Sequence, residues 1–363
     1  MLYKGSIPLS LSLVLITACG GGGNNDTNQA TNNNSSTQQT AEQPATEQPT
    51  TEQPTAIKHS VITSVFGNGT ITPESSSVEH GGSISFELST DGDNILYLVE
   101  GCGGELNGTT YQINSVEDDC AITVTYLGNP FVTKWNAVAG QPIEFKRAKA
   151  FAYDYVIDWG DDSALETEEG SASHIYKTSG EVFIKIYGKL PAVEMCSIDS
   201  ESMLLDVVQW GQNEWLSMEK MFASCLALES FSAEDVPNLS QVSSMSNMFN
   251  SAPLFNGNVA DWNVSNVKNM AWMFAGVTTF SNDLSSWDVS SVEDMSHMFT
   301  WAWQFNGDIS MWDVKNVTNM ESMFYGAALF DKDLSRWDVS NVSSYQDFAT
   351  DSNMSQEPDW PKL

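Results

Sequence analysis

The sequence predicts a multidomain exported chain in which two β modules precede an α/β solenoid built on a short repeat. Three observations carry this reading. Trp262, Trp287, Trp312 and Trp337 stand 25 residues apart, and several further columns keep the same period. Upstream of them, apolar residues alternate with Ser, Thr and Glu in short runs bounded by Gly, Asn and Asp. The composition is acidic yet sparse in charge: 15 Lys plus Arg face 47 Asp plus Glu, a net −32, while charged residues make up 17% of the chain and aromatics 11%. That mixture fits an extracellular β-rich or repeat protein. At 363 residues there is room for roughly two or three domains and at least one large core. The net charge repels phosphate backbones, so nucleic acid is excluded as an expected partner.

At the N-terminus, Lys4 precedes an apolar run from Ile7 to Ala18. The run is too short for a permanent membrane span and has the size of a signal peptide, which assigns 1–18 to export. The run ends Leu15-Ile16-Thr17-Ala18-Cys19-Gly20, which resembles the lipobox of bacterial lipoproteins. The resemblance implies that Cys19 is diacylated and becomes the first mature residue, so that the membrane is a partner through the lipid anchor at Cys19. Gly20 in place of an Asp implies an outer-membrane or cell-surface location. An ordinary small-residue cleavage site is the rival reading. Residues 19–56 follow as lipidated Cys and tether. From Gly20 to Ala56 there is no Lys or Arg and almost nothing apolar, and Glu-Gln-Pro recurs at 42–44, 47–49 and 52–54. Such a segment cannot bury a core, and as a coil it reaches roughly 35 Å.

Once Cys19 is assigned to lipid, four Cys remain for an oxidising compartment. Cys102 and Cys120 share one short segment and Cys196 and Cys225 another, so these two bridges are preferred over the two crossed pairings. Zinc is the rival use. The spacings lack a Cys-x-x-Cys pair, and His59, His80, His174 and His297 are scattered, so no metal and no cofactor is expected.

Residues 57–128 read as a small all-β module. Ile84, Phe86 and Leu88 alternate with polar residues, as do Ile122, Val124 and Tyr126, and Gly67-Asn68-Gly69 and Asp91-Gly92-Asp93 supply turns. The stretch from Gly101-Cys102-Gly103-Gly104 to Cys120-Ala121-Ile122 looks like the small β repeat modules of bacterial surface proteins. In 129–190, a strand Tyr153 to Ile157 runs into Asp158-Trp159-Gly160-Asp161-Asp162-Ser163. His174-Ile175-Tyr176 and a strand Glu181 to Gly188 follow, with Val182, Ile184 and Ile186 on one face. This resembles a PKD-like domain, an immunoglobulin-type β-sandwich, with the usual Trp-x-Phe-Gly-Asp-Gly-Ser shortened. Asp158, Asp161 and Asp162 are read as caps of a tight turn rather than as catalytic acids.

The region 191–352 is the repeat array with its caps, and 353–363 a C-terminal tail. Val264, Val289, Val314 and Val339 keep the 25-residue period; so do Val267, Val292, Val317 and Val342, and Met270, Met295 and Met320. Val292, Met295, Met298 and Phe299 sit at helical spacing, which predicts in each unit a short extended stretch at Trp287-Asp288-Val289, a turn and a short helix. A unit this small cannot bury its own face, so the units must stack. The phrase Asp-Leu-Ser-Ser-Trp-Asp-Val-Ser-Ser-Val at 283–292, followed by Met295 and Met298-Phe299, is similar to the repeats of BspA-like leucine-rich-repeat surface proteins. That resemblance implies an α/β leucine-rich-repeat-like solenoid used for adhesion or protein binding at a bacterial surface. Tyr345 and Phe348-Ala349 depart from the Met and Met-Phe pattern, as an end unit would.

The core columns are committed to packing, so the informative residues are those that break the repeat. Trp272, His297, Ser322 and Asp347 share one column. Trp301 and Trp303 stand where neighbouring units have Gly276 and Thr278 or Gly326 and Ala328, and Tyr325 replaces Ala275. Trp272, His297, Trp301, Trp303 and Tyr325 are therefore the candidate partner-binding residues; the competing reading is that these rings only cover adjacent coils. Asp288, Asp313 and Asp338 form a column of like charges, read as backbone caps with a calcium ladder as the rival. No catalytic residue is expected: Gly-x-Ser-x-Gly, a phosphate loop and His-Glu-x-x-His are absent. The expectation is a non-enzymatic surface lipoprotein that binds an extracellular protein. A carbohydrate ligand is the alternative and a glycoside hydrolase a remote third.

Overall fold

The computed structural model describes residues 56–92, 94–147, 151–197 and 200–361. The signal segment, Cys19 and most of the tether lie outside the described residues.

The first module is two sheets closed on their own core. Its strands are β1 (Lys58–Phe66), β2 (Gly69–Thr72), β3 (Ser75–Glu79), β4 (Gly82–Thr90), β5 (Ile95–Gly101), β6 (Glu105–Asn107), β7 (Thr110–Val116) and β8 (Cys120–Leu127). They form sheets in the orders β3-β1-β8-β5 and β2-β4-β7-β6, with β1 parallel to β8 and the other pairs antiparallel. The period-two alternation places Phe86 and Leu88 from one sheet, and Ile122, Val124 and Tyr126 from the other, in a shared core. Cys102, just past β5, is bonded to Cys120 at the start of β8.

A second sandwich follows. Its strands are β9 (Phe131–Ala137), β10 (Pro142–Arg147), β11 (Asp154–Asp158), β12 (Glu166–Glu168), β13 (Ala172–Ile175), β14 (Gly180–Lys189) and β15 (Val193–Glu194). Trp135, Phe145 and Trp159 are fully buried and meet in sequence, Trp135 tilted against Phe145 at 5.6 Å and Phe145 stacked on Trp159 at 5.5 Å between ring centres. Asp158 and Asp161 act as turn caps: their Oδ1 atoms accept from the Gly160 amide at 2.9 Å and the Ser163 amide at 3.2 Å. Asp161 also meets His174 at 2.9 Å, and its carboxyl is held below the usual range first by its hydrogen bond to Ser163.

The sandwich does not end at residue 190. β16 (Leu204–Gln209) adds antiparallel to β9, and β17 (Ser230–Phe231) adds parallel to β16, giving a six-stranded sheet in the order β12-β11-β14-β9-β16-β17. One hydrophobic core then runs without interruption from Phe131 to Phe348. Cys196 is bonded to Cys225, fastening the chain that leaves the sandwich to the first coil. The boundary at 190 separates two sequence patterns, not two cores.

The α/β solenoid expected for 191–352 is not what forms. Among the described residues there is no helix, and the repeats are coils of consecutive turns. They are joined by single parallel bridges through Ser244, Asn269, Asp294, Asn319 and Ser344. The hydrogen bonds give the reason. The amides of Met295, His297, Phe299 and Trp301 donate to the carbonyls of Asn319, Glu321, Met323 and Tyr325 in the next coil, at 2.8 to 2.9 Å. Those of Met298, Thr300 and Ala302 close turns onto the residue three back. Alternate amides thus leave the coil, whereas an α-helix would keep them all. The reversal needs left-handed backbone, found at Trp272, His297 and Ser322 and again at Gly276, Trp301 and Gly326. Met295, Met298 and Phe299 still share one buried face, so the apolar spacing mimics a helix.

Stacking of identical side chains supplies the cohesion. Phe249, Phe274, Phe299 and Phe324 form one ladder at 5.4 to 5.7 Å, and Phe255, Phe280, Phe305 and Phe330 a second at 5.6 to 6.2 Å. The indole N–H groups of Trp287, Trp312 and Trp337 donate to the carbonyls of Val259, Leu284 and Ile309 in the preceding coil. The tail is part of this packing. Trp360 stacks on Tyr345 at 4.4 Å and meets Phe348 edge-on at 4.6 Å, so the last residues cover the open end of the array.

The Asp column is capped as well. Asp288 Oδ1 accepts from the Ser290 amide at 3.1 Å and its hydroxyl at 2.6 Å, and Asp313 and Asp338 accept from the amides of Lys315 and Ser340. Asn263 accepts in the same way from Ser265, so the column needs an acceptor rather than a charge. Among the described residues no group of three or more His, Cys, Asp or Glu is placed to hold a metal ion. At neutral pH, Asp288→Ala is expected to cost about 0.5–1.5 kcal/mol, while Asp288→Asn stays close to wild type and chelator leaves the melting temperature unmoved. The bonds to Ser290 depress the Asp288 carboxyl below its ordinary 3.8. Its contribution is therefore complete above that value and is lost as pH falls through the depressed folded value, a loss the Asn variant escapes. A chelator-induced drop in melting temperature that calcium reverses would overturn the capping account.

Candidate functional site

The coil stack buries its tryptophans with a few exceptions. Trp262, Trp287, Trp312 and Trp337 are at most 5% exposed, whereas Trp272 is 37%, Trp301 46% and Trp303 53% exposed. All three exceptions break the repeat columns, and two of them sit on left-handed backbone, with φ of 63° at Trp272 and 56° at Trp301. His297 shares that conformation at 56°. For an L-residue this region costs roughly 1–2 kcal/mol, and bulky side chains rarely occupy it. The neighbouring coils place Asn247, Ser322 and Asp347 in the first column and Gly276 and Gly326 in the second, residues that bear the conformation more easily.

The rings fall into two pairs. Trp272 and His297, one coil apart, stack at 3.9 Å with 16° between their planes. Burial pushes the His297 ring's pKa below its ordinary value, against the opposing pull of Glu321 and Asp294, so it stacks as a neutral imidazole at pH 7. Trp301 meets Tyr325 at 5.1 Å and 81°. Three consecutive atoms of the Trp301 ring lie 2.3 to 2.9 Å from where a Cβ on Gly326 would stand, so the indole lies flat over that glycine. One ring face is seated on backbone, and the residue as a whole is 46% exposed. Trp303 follows two residues on, and its carbonyl accepts from the amide of Leu329, itself 53% exposed.

Residues 216–312 and 244–360 match the family described as Mycoplasma protein of unknown function, DUF285. The two matches overlap, and together they span the coil stack and its C-terminal cap, with the exposed rings inside them. No curated protein and no solved structure matches the chain.

The structure thus places all five candidate residues on the coil stack and joins four of them in two pairs, Trp272 with His297 and Trp301 with Tyr325; Trp303 has no ring contact among those described. Sequence reasoning missed the left-handed backbone beneath them. The signal was present in the second column, where Gly276 and Gly326 flank Trp301: glycine recurring at one repeat position marks a backbone that favours positive φ. The structure also brings together His59 and His80 of the first module, Nε2 to Nδ1 at 3.0 Å, with Glu117 3.1 Å from His80. Asp119 lies 3.8 Å from His59, and among the described residues no group of three or more His, Cys, Asp or Glu is placed to hold a metal ion, so the pair is a surface hydrogen-bond and ion-pair cluster.

The backbone reading has its own test. Trp301→Gly is expected to be more stable than Trp301→Ala by about 1 kcal/mol, because both lose the ring and the Ala variant alone keeps the left-handed penalty. Equal melting temperatures for the two variants would show that no strain resides there.

Proposed function

We propose that the protein is an exported, lipid-anchored, non-catalytic surface protein whose coil stack binds an extracellular ligand in adhesion. The observation that carries this is the exposure of Trp272, Trp301 and Trp303 at positions that break an otherwise buried repeat. Bulky aromatic rings placed on left-handed backbone, and left exposed there, are features that packing alone does not require, and recognition surfaces use such rings. The two disulfides favour an oxidising compartment, and the lipobox-like Leu15 to Cys19 supports a lipid anchor at an outer membrane or cell surface. The similarity of 283–292 to BspA-like repeats, and of 129–190 to a PKD-like domain, favours the same role. The sandwich then serves as the rigid base of the stack, and the segment 20–56 gives reach from the membrane.

Two measurements test this. Cys19→Ser is expected to block lipid processing and to shift the protein out of the membrane fraction; unchanged processing and fractionation would remove the anchor. Cells displaying the protein are expected to adhere to immobilised extracellular proteins or glycans. The Trp301→Ala/Trp303→Ala double variant, displayed at equal level, is expected to lose at least tenfold in adhesion. Undiminished adhesion would move the binding face elsewhere.

A further inference from the structure

From the geometry of the corner formed by Trp301, Trp303 and Tyr325, we infer a subsite for the uncharged pyranose rings of a polysaccharide. This rests on the recognition role proposed above and names its ligand class. Trp301 is held flat over Gly326 while 46% of the residue stays exposed, and Tyr325 packs against it in a T-shaped contact at 81°, ring centres 5.1 Å apart. A flat, part-exposed indole is complementary to a flat partner: a sugar ring, a nucleobase or another aromatic side chain. The field of the protein removes the charged partners, and the polar margin of the corner favours a hydroxylated ring over an aromatic side chain. At a net −32, with Glu321 and Asp294 acting on His297 and Asp347 in the same column, the surface repels polyanions. Nucleic acids and sulfated or uronic-acid glycans are thereby disfavoured, and neutral sugars are not.

The rigidity of the platform points the same way. The ring is fixed by the left-handed backbone of Trp301, φ 56°, and by its seat on a residue that must lack a side chain, so little freedom is lost when a ligand stacks on it. Trp303, 53% exposed with no ring partner among the described contacts, offers a second surface two residues away, and the exposed Gln304 beside it carries an amide that both donates and accepts hydrogen bonds. Aromatic surface with polar groups at its margin suits a ligand that is apolar on its ring faces and hydroxylated at its edges.

The test is affinity electrophoresis of the full-length protein in native gels cast with neutral dextran, laminarin or xylan, and with dextran sulfate as the charged counterpart. Retardation by at least one neutral polysaccharide is expected, with none by dextran sulfate. Trp301→Ala and Trp303→Ala should each weaken it at least tenfold, Trp301→Phe should restore part of it, and Met311→Ala, at an unrelated residue 78% exposed, should leave it unchanged. No retardation in any neutral gel, or retardation indifferent to both Trp variants, would overturn the inference. If neutral gels fail while the double Trp variant still abolishes adhesion to an immobilised protein, the ligand is a protein and the recognition face stands. If the double variant keeps adhesion as well, the recognition face itself is wrong.

Discussion

Replacing Trp210 with Ala is expected to lower stability by about 3–5 kcal/mol and to weaken the second sandwich and the coil stack together. Trp210 is 1% exposed and lies where the two meet. Its indole touches Phe131 of the sandwich at 5.6 Å, Phe222 and Phe231 of the first coil at 6.2 and 5.4 Å, and Trp262 of the next at 5.4 Å. Its amide and that of Gly211 are both held by the carboxylate of Asp235, at 2.9 and 2.8 Å. A cavity here opens the continuous core at its narrowest dependence, since a stacked coil is supported only by its neighbours. Urea denaturation followed by tryptophan fluorescence and far-ultraviolet circular dichroism is expected to show one transition for 129–361. The first module, with its separate core, is expected to unfold independently. A Trp210→Ala variant that melts only the stack and leaves the sandwich at its wild-type midpoint would refute the shared core.

Met298→Ala is expected to cost about 2–5 kcal/mol, and Trp301→Ala or Trp303→Ala alone no more than the lower part of that range, although each removes more volume. Met298 is fully buried, its amide closes a turn onto Met295, and its carbonyl accepts from Phe274 in the preceding coil. Surrounding coils held in ladders of stacked Phe rings cannot relax into the space a missing thioether leaves. Trp301 and Trp303 have about half of their surface in water already, so each truncation forfeits about half of what a fully buried Trp would, roughly 1.5–2.5 kcal/mol. Thermal melts of the three single variants check this. Should either single Trp variant lose more stability than Met298→Ala, the rings are packing residues and the proposed face has no independent purpose.

Much of this molecule was legible in its sequence. The alternation at Ile84, Phe86 and Leu88 marks a strand because side chains of a strand point alternately to two faces, and Phe86 and Leu88 are buried accordingly. The 25-residue columns announce a stack, because a unit too small to enclose a core must borrow one from its neighbours. The candidate site was legible by subtraction: once the Met, Phe and Trp columns are assigned to the core, Trp272, Trp301 and Trp303 are left over, and they are exposed.

What the sequence by itself determined, then, is the period of the array, which columns are buried and which residues stand outside them. Only the tertiary structure decided the path of the backbone between those columns. Val292, Met295, Met298 and Phe299 satisfy a helix and a chain of turns equally well, since both bring residues three and four apart to one face. The choice lies in where the amides of Met295, His297, Phe299 and Trp301 find their acceptors, and those acceptors are in another coil. The same is true of the division at residue 190. β16 and β17 complete a sheet begun by β9, β16 pairing with β9 across 69 to 77 residues of chain and β17 with β16 across 24. Local pattern reports which side of a segment is apolar; it carries no information about which distant backbone will satisfy its hydrogen bonds, and here those distant bonds selected coils over helices.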